Sequence, residues 1–244
     1  MDIRIANTRA EMGRQAGSDI AAALCKGLQE KAHLRIVLAA APSQSEMLSA
    51  LIAEPDIDWS RITAFHMDEY IGLPSDAPQR FGNWLRTAIF DRVPFAAYHL
   101  IEPGEDPAAA CQQYANKLAE ATIDLVLLGI GTNGHLAFND PPADLEDPLA
   151  VKEVELDKVC RQQQVDDDCF ATIADVPRKA ITLTVPTLLS GQRLFCCVPG
   201  ANKSQAVKAM VEYPISGEWP ATALRTHPHC TVYLDRESSA RLNR

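Results

Sequence analysis

Three short stretches of the 244-residue sequence concentrate side chains able to do chemistry. In Gly129-Ile130-Gly131-Thr132-Asn133-Gly134-His135-Leu136-Ala137-Phe138-Asn139-Asp140-Pro141-Pro142, three glycines open a turn where positive φ is cheap. A histidine, two asparagines and an aspartate follow within it, and a histidine titrates close enough to neutrality to take and return protons. In Met67-Asp68-Glu69-Tyr70, two adjacent carboxylates suit proton transfer, provided one projects into a cleft. In Ala41-Pro42-Ser43-Gln44-Ser45, hydroxyls precede a helix start, where unpaired amides and the helix dipole can hold an anion such as phosphate. Each stretch also has a plainer reading: a polar surface turn with a solvated histidine, a solvated acidic turn, and an ordinary helix cap. The last has no glycine, so it is neither a Walker A loop nor a dinucleotide fingerprint.

All three stretches leave the C-terminal end of an apolar run that reads as a buried strand, at residues 123–129, 61–66 and 34–40 respectively. In an open parallel sheet, ligands bind beyond those ends. Further strands are expected at 2–6, 98–101, 151–156, 181–185, 193–198 and 231–234. Helices are expected from about Thr8, where Thr8 and Glu11 stand at capping-box spacing, to Lys31, and again through Met47 and Leu51, at 81–90, 107–120 and after Lys203. The alternation predicts one α/β domain over residues 1–244: a doubly wound, mostly parallel open sheet with helices on both faces. Residues 141–178 are the least regular part, mixing prolines with the acidic run Asp166-Asp167-Asp168, and read as a possible lid or a simple insertion.

With 23 Lys+Arg against 32 Asp+Glu, the net charge of −9 argues against a nucleic-acid partner. The longest apolar run, 36–41, is far too short to cross a bilayer, and the first residues do not resemble a secretion signal, so a cytoplasmic protein is expected. The seven cysteines are scattered and form no C-x-x-C pair, which suits reduced thiols better than a disulfide framework or zinc site. Adjacent Cys196 and Cys197 should point to opposite faces of a strand.

Taken together, Phe65-His66-Met67-Asp68-Glu69-Tyr70-Ile71-Gly72-Leu73-Pro74, the Gly129 to Pro141 stretch and the late turn Leu224-Arg225-Thr226-His227-Pro228 resemble the glucosamine-6-phosphate deaminase (isomerase) family. That family lies within the wider group that includes 6-phosphogluconolactonases, and the resemblance runs nearly end to end. It implies conversion of D-glucosamine 6-phosphate to D-fructose 6-phosphate and ammonia, with no metal and no organic cofactor. By resemblance His135 opens the sugar ring, and Asp68 moves a proton from C2 to C1 through a planar enolamine. Asp140 stands where the family usually carries glutamate, and Asn133 where it usually carries aspartate. Lys203 matches the family's phosphate lysine. Ser43, Gln44 and Ser45 replace a Thr-Gly-Gly-Thr phosphate loop, Arg161 is a candidate cation from the lid, and the family's own arginine falls near Gln164.

The implied partner is a phosphorylated amino sugar, with the epimer and the choice of monomer or homo-oligomer left open. Positions used for allosteric sugar binding in some members are unmatched, Ala143 and Ala150 among them, so no such regulation is expected. Two alternatives remain: a 6-phosphogluconolactonase, and a catalytically weak sugar-phosphate-binding protein. Against the first, Leu136-Ala137-Phe138-Asn139-Asp140-Pro141 follows the Gly-His pair, where lactonases tend to carry a Thr-x-Ser-Leu-Phe-Pro run.

Overall fold

Short runs rich in Leu, Ile and Val become the central strands of the computed structural model, which describes residues 1–243. The first half of the chain forms β1 Asp2–Ile5, α1 Arg9–Glu30, β2 Leu34–Leu38, α2 Ser45–Ala53, β3 Ile62–His66, β4 Asp68–Tyr70, α3 Phe81–Leu85, β5 Ala97–His99 and α4 Pro107–Ala119. The second half forms β6 Leu125–Leu128, β7 Val151–Glu155, α5 Lys158–Asp166, β8 Lys179–Leu183, α6 Val185–Leu189, β9 Arg193–Val198, α7 Ser204–Glu212 and β10 Cys230–Leu234. Thr8 caps α1 by accepting from the Glu11 amide, and the Glu11 carboxylate reaches back to the amide of Asn7 rather than that of Thr8.

Seven strands make one sheet in the order β1-β10-β9-β6-β2-β3-β5, and every neighbouring pair in it is parallel. Because successive side chains alternate across a strand, each central strand feeds two cores. Ile36, Leu38, Leu127 and Cys197 pack under α1, α2 and α3. Val37, Val126, Leu128 and Cys196 pack under α4, α6 and α7. The adjacent cysteines thus part to opposite faces, and all seven cysteines are free thiols. Among the described residues, no helix is long and apolar enough to cross a membrane.

The chain builds outward from β2 in two directions, through β3 to β5 on one side and then through β6, β9 and β10 on the other. The crevice beyond the C-terminal ends of β2 and β6 is therefore the switch point of the sheet. A second sheet, β4-β8-β7, is antiparallel and lies at this end. It changes two sequence expectations. Residues 68–70 are a short strand and not a turn, because β8 pairs with them. Residues 141–178 are only partly irregular, since β7 is held by β8 and α5 follows it. The strand expected at 181–185 ends at Leu183, because Thr184 caps α6 through its hydroxyl.

Candidate active site

The loop after β6 is shaped by close approach. A Cβ on Gly131 would overlap the His135 ring, and Gly134 has φ +83°, a region that L side chains rarely adopt. The Gly131 amide donates to the His135 carbonyl at 3.0 Å, and the His135 amide donates to Asn133 Oδ1 at 3.1 Å. Further on, the Phe138 amide donates to Thr182 Oγ1, and Asn139 Nδ2 donates to the carbonyls of Leu136 and Leu183. Asn139 therefore ties the loop to β8.

His135 is 7% exposed, and its Nδ1 stands 3.1 Å from Asp140 Oδ1. The approach is oblique and not an in-line hydrogen bond, an arrangement that substrate can tighten. Asp140 Oδ1 also accepts from Asn133 Nδ2 at 3.1 Å, and Oδ2 accepts from the Asp157 amide at 3.2 Å. Burial works to raise the Asp140 carboxyl, but His135, Asn133 and the Asp157 amide outweigh it and hold the group below the usual carboxylate range.

Asp68 opens β4 and is also 7% exposed. Burial, and then the neighbouring Glu69 charge, pushes its carboxyl well above the ordinary value. Its neighbour has a different job. Glu69 is fully buried and accepts from the amides of Tyr70, Phe81 and Gly82, with Arg80 Nε at 3.6 Å. It satisfies the open amides at the start of α3.

Lys203 is 5% exposed, at the turn between β9 and α7. The lysine ion pairs among the described residues involve Lys31, Lys117, Lys152, Lys179 and Lys208, and not Lys203. Burial lowers its pKa to about 8, with Asp167 and Cys160 pulling the other way. A buried ammonium without a counter-ion favours an anionic ligand.

One cleft brings these groups together at the switch point: Ser43 and Gln44 after β2, Asp68 after β3, His135 after β6, and Lys203 after β9. Asn133 and Asp140 stand behind His135 and are not part of the cleft wall. Two expected ligands are not in the wall. The Arg161 guanidinium donates to the carbonyls of Ile173 and Val176, which fixes the turn after α5 instead of reaching into the cleft. Ser45 begins α2 and lines a separate surface groove with Leu48 and Asn83.

Sequence reasoning missed Gln163 and Asp167 and assigned no role to Gln164, yet all three line the cleft. Gln163 Oε1 accepts from the Thr132 amide at 2.8 Å, latching α5 to the His135 loop. The available signal was Asp157, whose carboxylate caps α5 at the Cys160 amide.

A histidine backed by a carboxylate, a buried acid with high proton affinity and an isolated ammonium can move protons on a bound anion. Fold and cleft together define an α/β enzyme that performs acid–base chemistry on an anionic ligand at the switch point. The chain belongs to the glucosamine-6-phosphate isomerase/6-phosphogluconolactonase family, which matches residues 7–233. It is 35% identical over 186 residues to a glucosamine-6-phosphate deaminase of Exiguobacterium sp., covering 76% of this chain and 72% of that protein. It is 30% identical over 246 residues to a glucosamine-6-phosphate deaminase of Lactobacillus delbrueckii subsp. bulgaricus, covering 99% of this chain and 100% of that one. The solved structure of a monomeric glucosamine-6-phosphate deaminase superposes with a TM-score of 0.90 at 28% identity, covering 98% of this chain and 99% of that one. A 6-phosphogluconolactonase from Trypanosoma brucei shares the fold, with a TM-score of 0.82 at 17% identity over 99% of this chain and 98% of that one.

Proposed function

We propose that this chain is a glucosamine-6-phosphate deaminase that works through Asp68, His135 and Asp140 and holds the substrate phosphate at Lys203. The observation that carries the reading is the meeting of Asp68, His135 and the unpaired Lys203 in one cleft. Lys203 anchors the phosphate, with Ser43 and Gln44 beside it, and so fixes the direction of the sugar in the cleft. His135 takes the proton of the anomeric hydroxyl and returns one to the ring oxygen, which opens the ring. The Asp140 carboxylate stabilises the imidazolium formed on the way, and Asn133 orients both the carboxylate and the loop.

Asp68 then takes the proton from C2 of the open-chain aldose. The electron pair left behind becomes the C1–C2 double bond while O1 takes a proton from water, forming the enolamine, and return of a proton at C1 gives the protonated imine at C2. Water adds to that carbon and ammonia leaves, giving the ketose phosphate. Burial suits Asp68 to this step, because a carboxylate with raised proton affinity is the stronger base near neutral pH. Each step uses a side chain or water.

Residues 1–244 act as a single catalytic domain. Of residues 141–178, the lid role falls to α5 with the turn after it, since β7 is held in the second sheet. Purified protein given glucosamine 6-phosphate should release ammonia and fructose 6-phosphate in equal amounts, and 6-phosphogluconolactone should hydrolyse no faster than in buffer. Lactone hydrolysis without ammonia release would replace the reading with the lactonase one, and tight binding without turnover would replace it with a binding protein.

A further inference from the structure

Cys160 has no part in the chemistry above, yet it is buried directly behind the acid–base pair. It sits on the first turn of α5, fully inaccessible, where its amide is held by Asp157. One donor atom from each of His135, Asp140 and Cys160 lies within 4.8 Å of the other two. His135 Nδ1 is buried and has no in-line hydrogen-bond partner, so an imidazole nitrogen is available toward Asp140. The three residues are spread from His135 to Cys160 and match no zinc-binding spacing; only the docking of α5 against the loop after β6 assembles them.

From this cluster we infer an inhibitory metal site: His135, Asp140 and Cys160 bind a borderline-soft divalent cation such as Zn²⁺, which stops turnover from behind the cleft by taking the catalytic histidine away from its carboxylate. The donor set selects the class of ion. One thiolate, one imidazole and one carboxylate suit zinc or cobalt, which accept three protein ligands and leave a fourth position for water. Magnesium and calcium want shells of oxygen that this site does not supply. Donors around a tetrahedral zinc lie about 3.5 Å apart, so the cluster must contract by about 1 Å, a change on the scale of a side-chain rotation at Cys160.

A cysteine thiol is mostly protonated near neutral pH. Binding therefore exchanges one ion for one proton: the S–H bond breaks, the metal–sulfur bond forms with the same electron pair, and the proton leaves to solvent. No oxidation is involved. The ion takes the Nδ1 position that faces Asp140, so His135 loses the carboxylate partner on which the proposed ring opening depends.

Cobalt is the probe for the site itself. Titration of the whole protein with Co²⁺ should produce a sulfur-to-cobalt charge-transfer band in the near-ultraviolet that saturates at one ion per chain. Cys160→Ser should lose the band, and Cys169→Ser, altered at a cysteine that lines the cleft wall, should keep it. Zn²⁺ should lower kcat with little change in KM, and Cys160→Ser should weaken the inhibition by at least about tenfold, the scale on which even an outer contact of a metal ligand acts. Zinc-edge X-ray absorption reads the ligand set in the unaltered protein, should Cys160→Ser fold poorly. One sulfur among nitrogen and oxygen donors supports the site, and nitrogen and oxygen alone overturn it. Equal inhibition of wild type and Cys160→Ser, or a cobalt band that follows Cys169, would also overturn it. The optical measurement needs no substrate, so a failed deaminase assay leaves its outcome intact.

Discussion

Asp68 is placed well for catalysis and badly for stability. Its folded pKa is raised by burial and by the Glu69 charge, so folding favours the protonated form. The associated stability is fully present below the unfolded value near 3.9 and is lost as pH rises through the folded value. Asp68→Asn should abolish turnover and leave affinity for a sugar phosphate within a few-fold. It should also stabilise the fold near pH 8 by about 1–3 kcal/mol, the cost of a poorly satisfied buried group, and the gain should vanish near pH 3. Melting curves at the two pH values read both limits. Asp140 and Asn133 make a second comparison. Asp140→Asn removes the only carboxylate paired with the His135 ring among the described residues and should cost about 10²-fold or more in kcat. Asn133→Ala removes hydrogen bonds to the Asp140 carboxylate and the His135 amide but no charge, and should cost about tenfold or less. A harmless Asp140→Asn beside an inactive Asn133→Ala would reverse their assigned roles. At Lys203 the folded pKa is lowered to about 8, so the free ammonium is lost as pH rises through that value. KM should rise above about pH 8, and Lys203→Ala should weaken the phosphorylated sugar by about 1.5–3 kcal/mol without affecting its unphosphorylated form.

The second face of the cleft is an element, α5, that hydropathy hides. Its buried positions Cys160, Gln163 and Gln164 have the i, i+3, i+4 spacing of a helix, but two of the three are glutamines. They are polar because they face a ligand cleft and the His135 loop, so no apolar stripe marks the helix. Gln163→Ala should break the latch to the Thr132 amide, raising amide exchange across α5 and raising KM, with exchange in β2 and β6 unchanged. Uniform exchange in α5 and the central strands would show that α5 does not open by itself. The central strands, in contrast, are legible because burial on both faces writes them as unbroken apolar runs, as in Leu125–Leu128. β4 is illegible for the opposite reason: Asp68-Glu69-Tyr70 has little strand character and pairs only because β8 arrives beside it. The site divides the same way. Asp68, His135 and Lys203 stand on motifs at strand exits and can be found from sequence. Gln163 and Asp167, and the diversion of Arg161 to the carbonyls of Ile173 and Val176, depend on how residues 156–178 pack.

Over the whole molecule, the parallel sheet supplies a switch point and the antiparallel sheet carries one acid across it. Adjacent residues in β4 divide that work, because alternation along a strand sends neighbouring side chains to opposite sides. Asp68 turns to the cleft. Glu69 turns away and joins the second sheet to α3, taking three backbone amides on two carboxylate oxygens. A carboxylate is the only side-chain group of that shape with acceptors at both positions, whereas glutamine would set an NH₂ donor against an N–H donor. Glu69→Gln should therefore destabilise the fold by about 1–3 kcal/mol through a buried amide left unpaired. Asp68→Asn one residue earlier, equal in charge and in chemistry, should move stability the other way at neutral pH. Thermal unfolding of the two variants side by side separates a carboxylate held for structure from one held for reaction. If both lower the melting temperature, Asp68 is also part of the scaffold that joins the two sheets, and its burial does not mark it as a strained catalytic base.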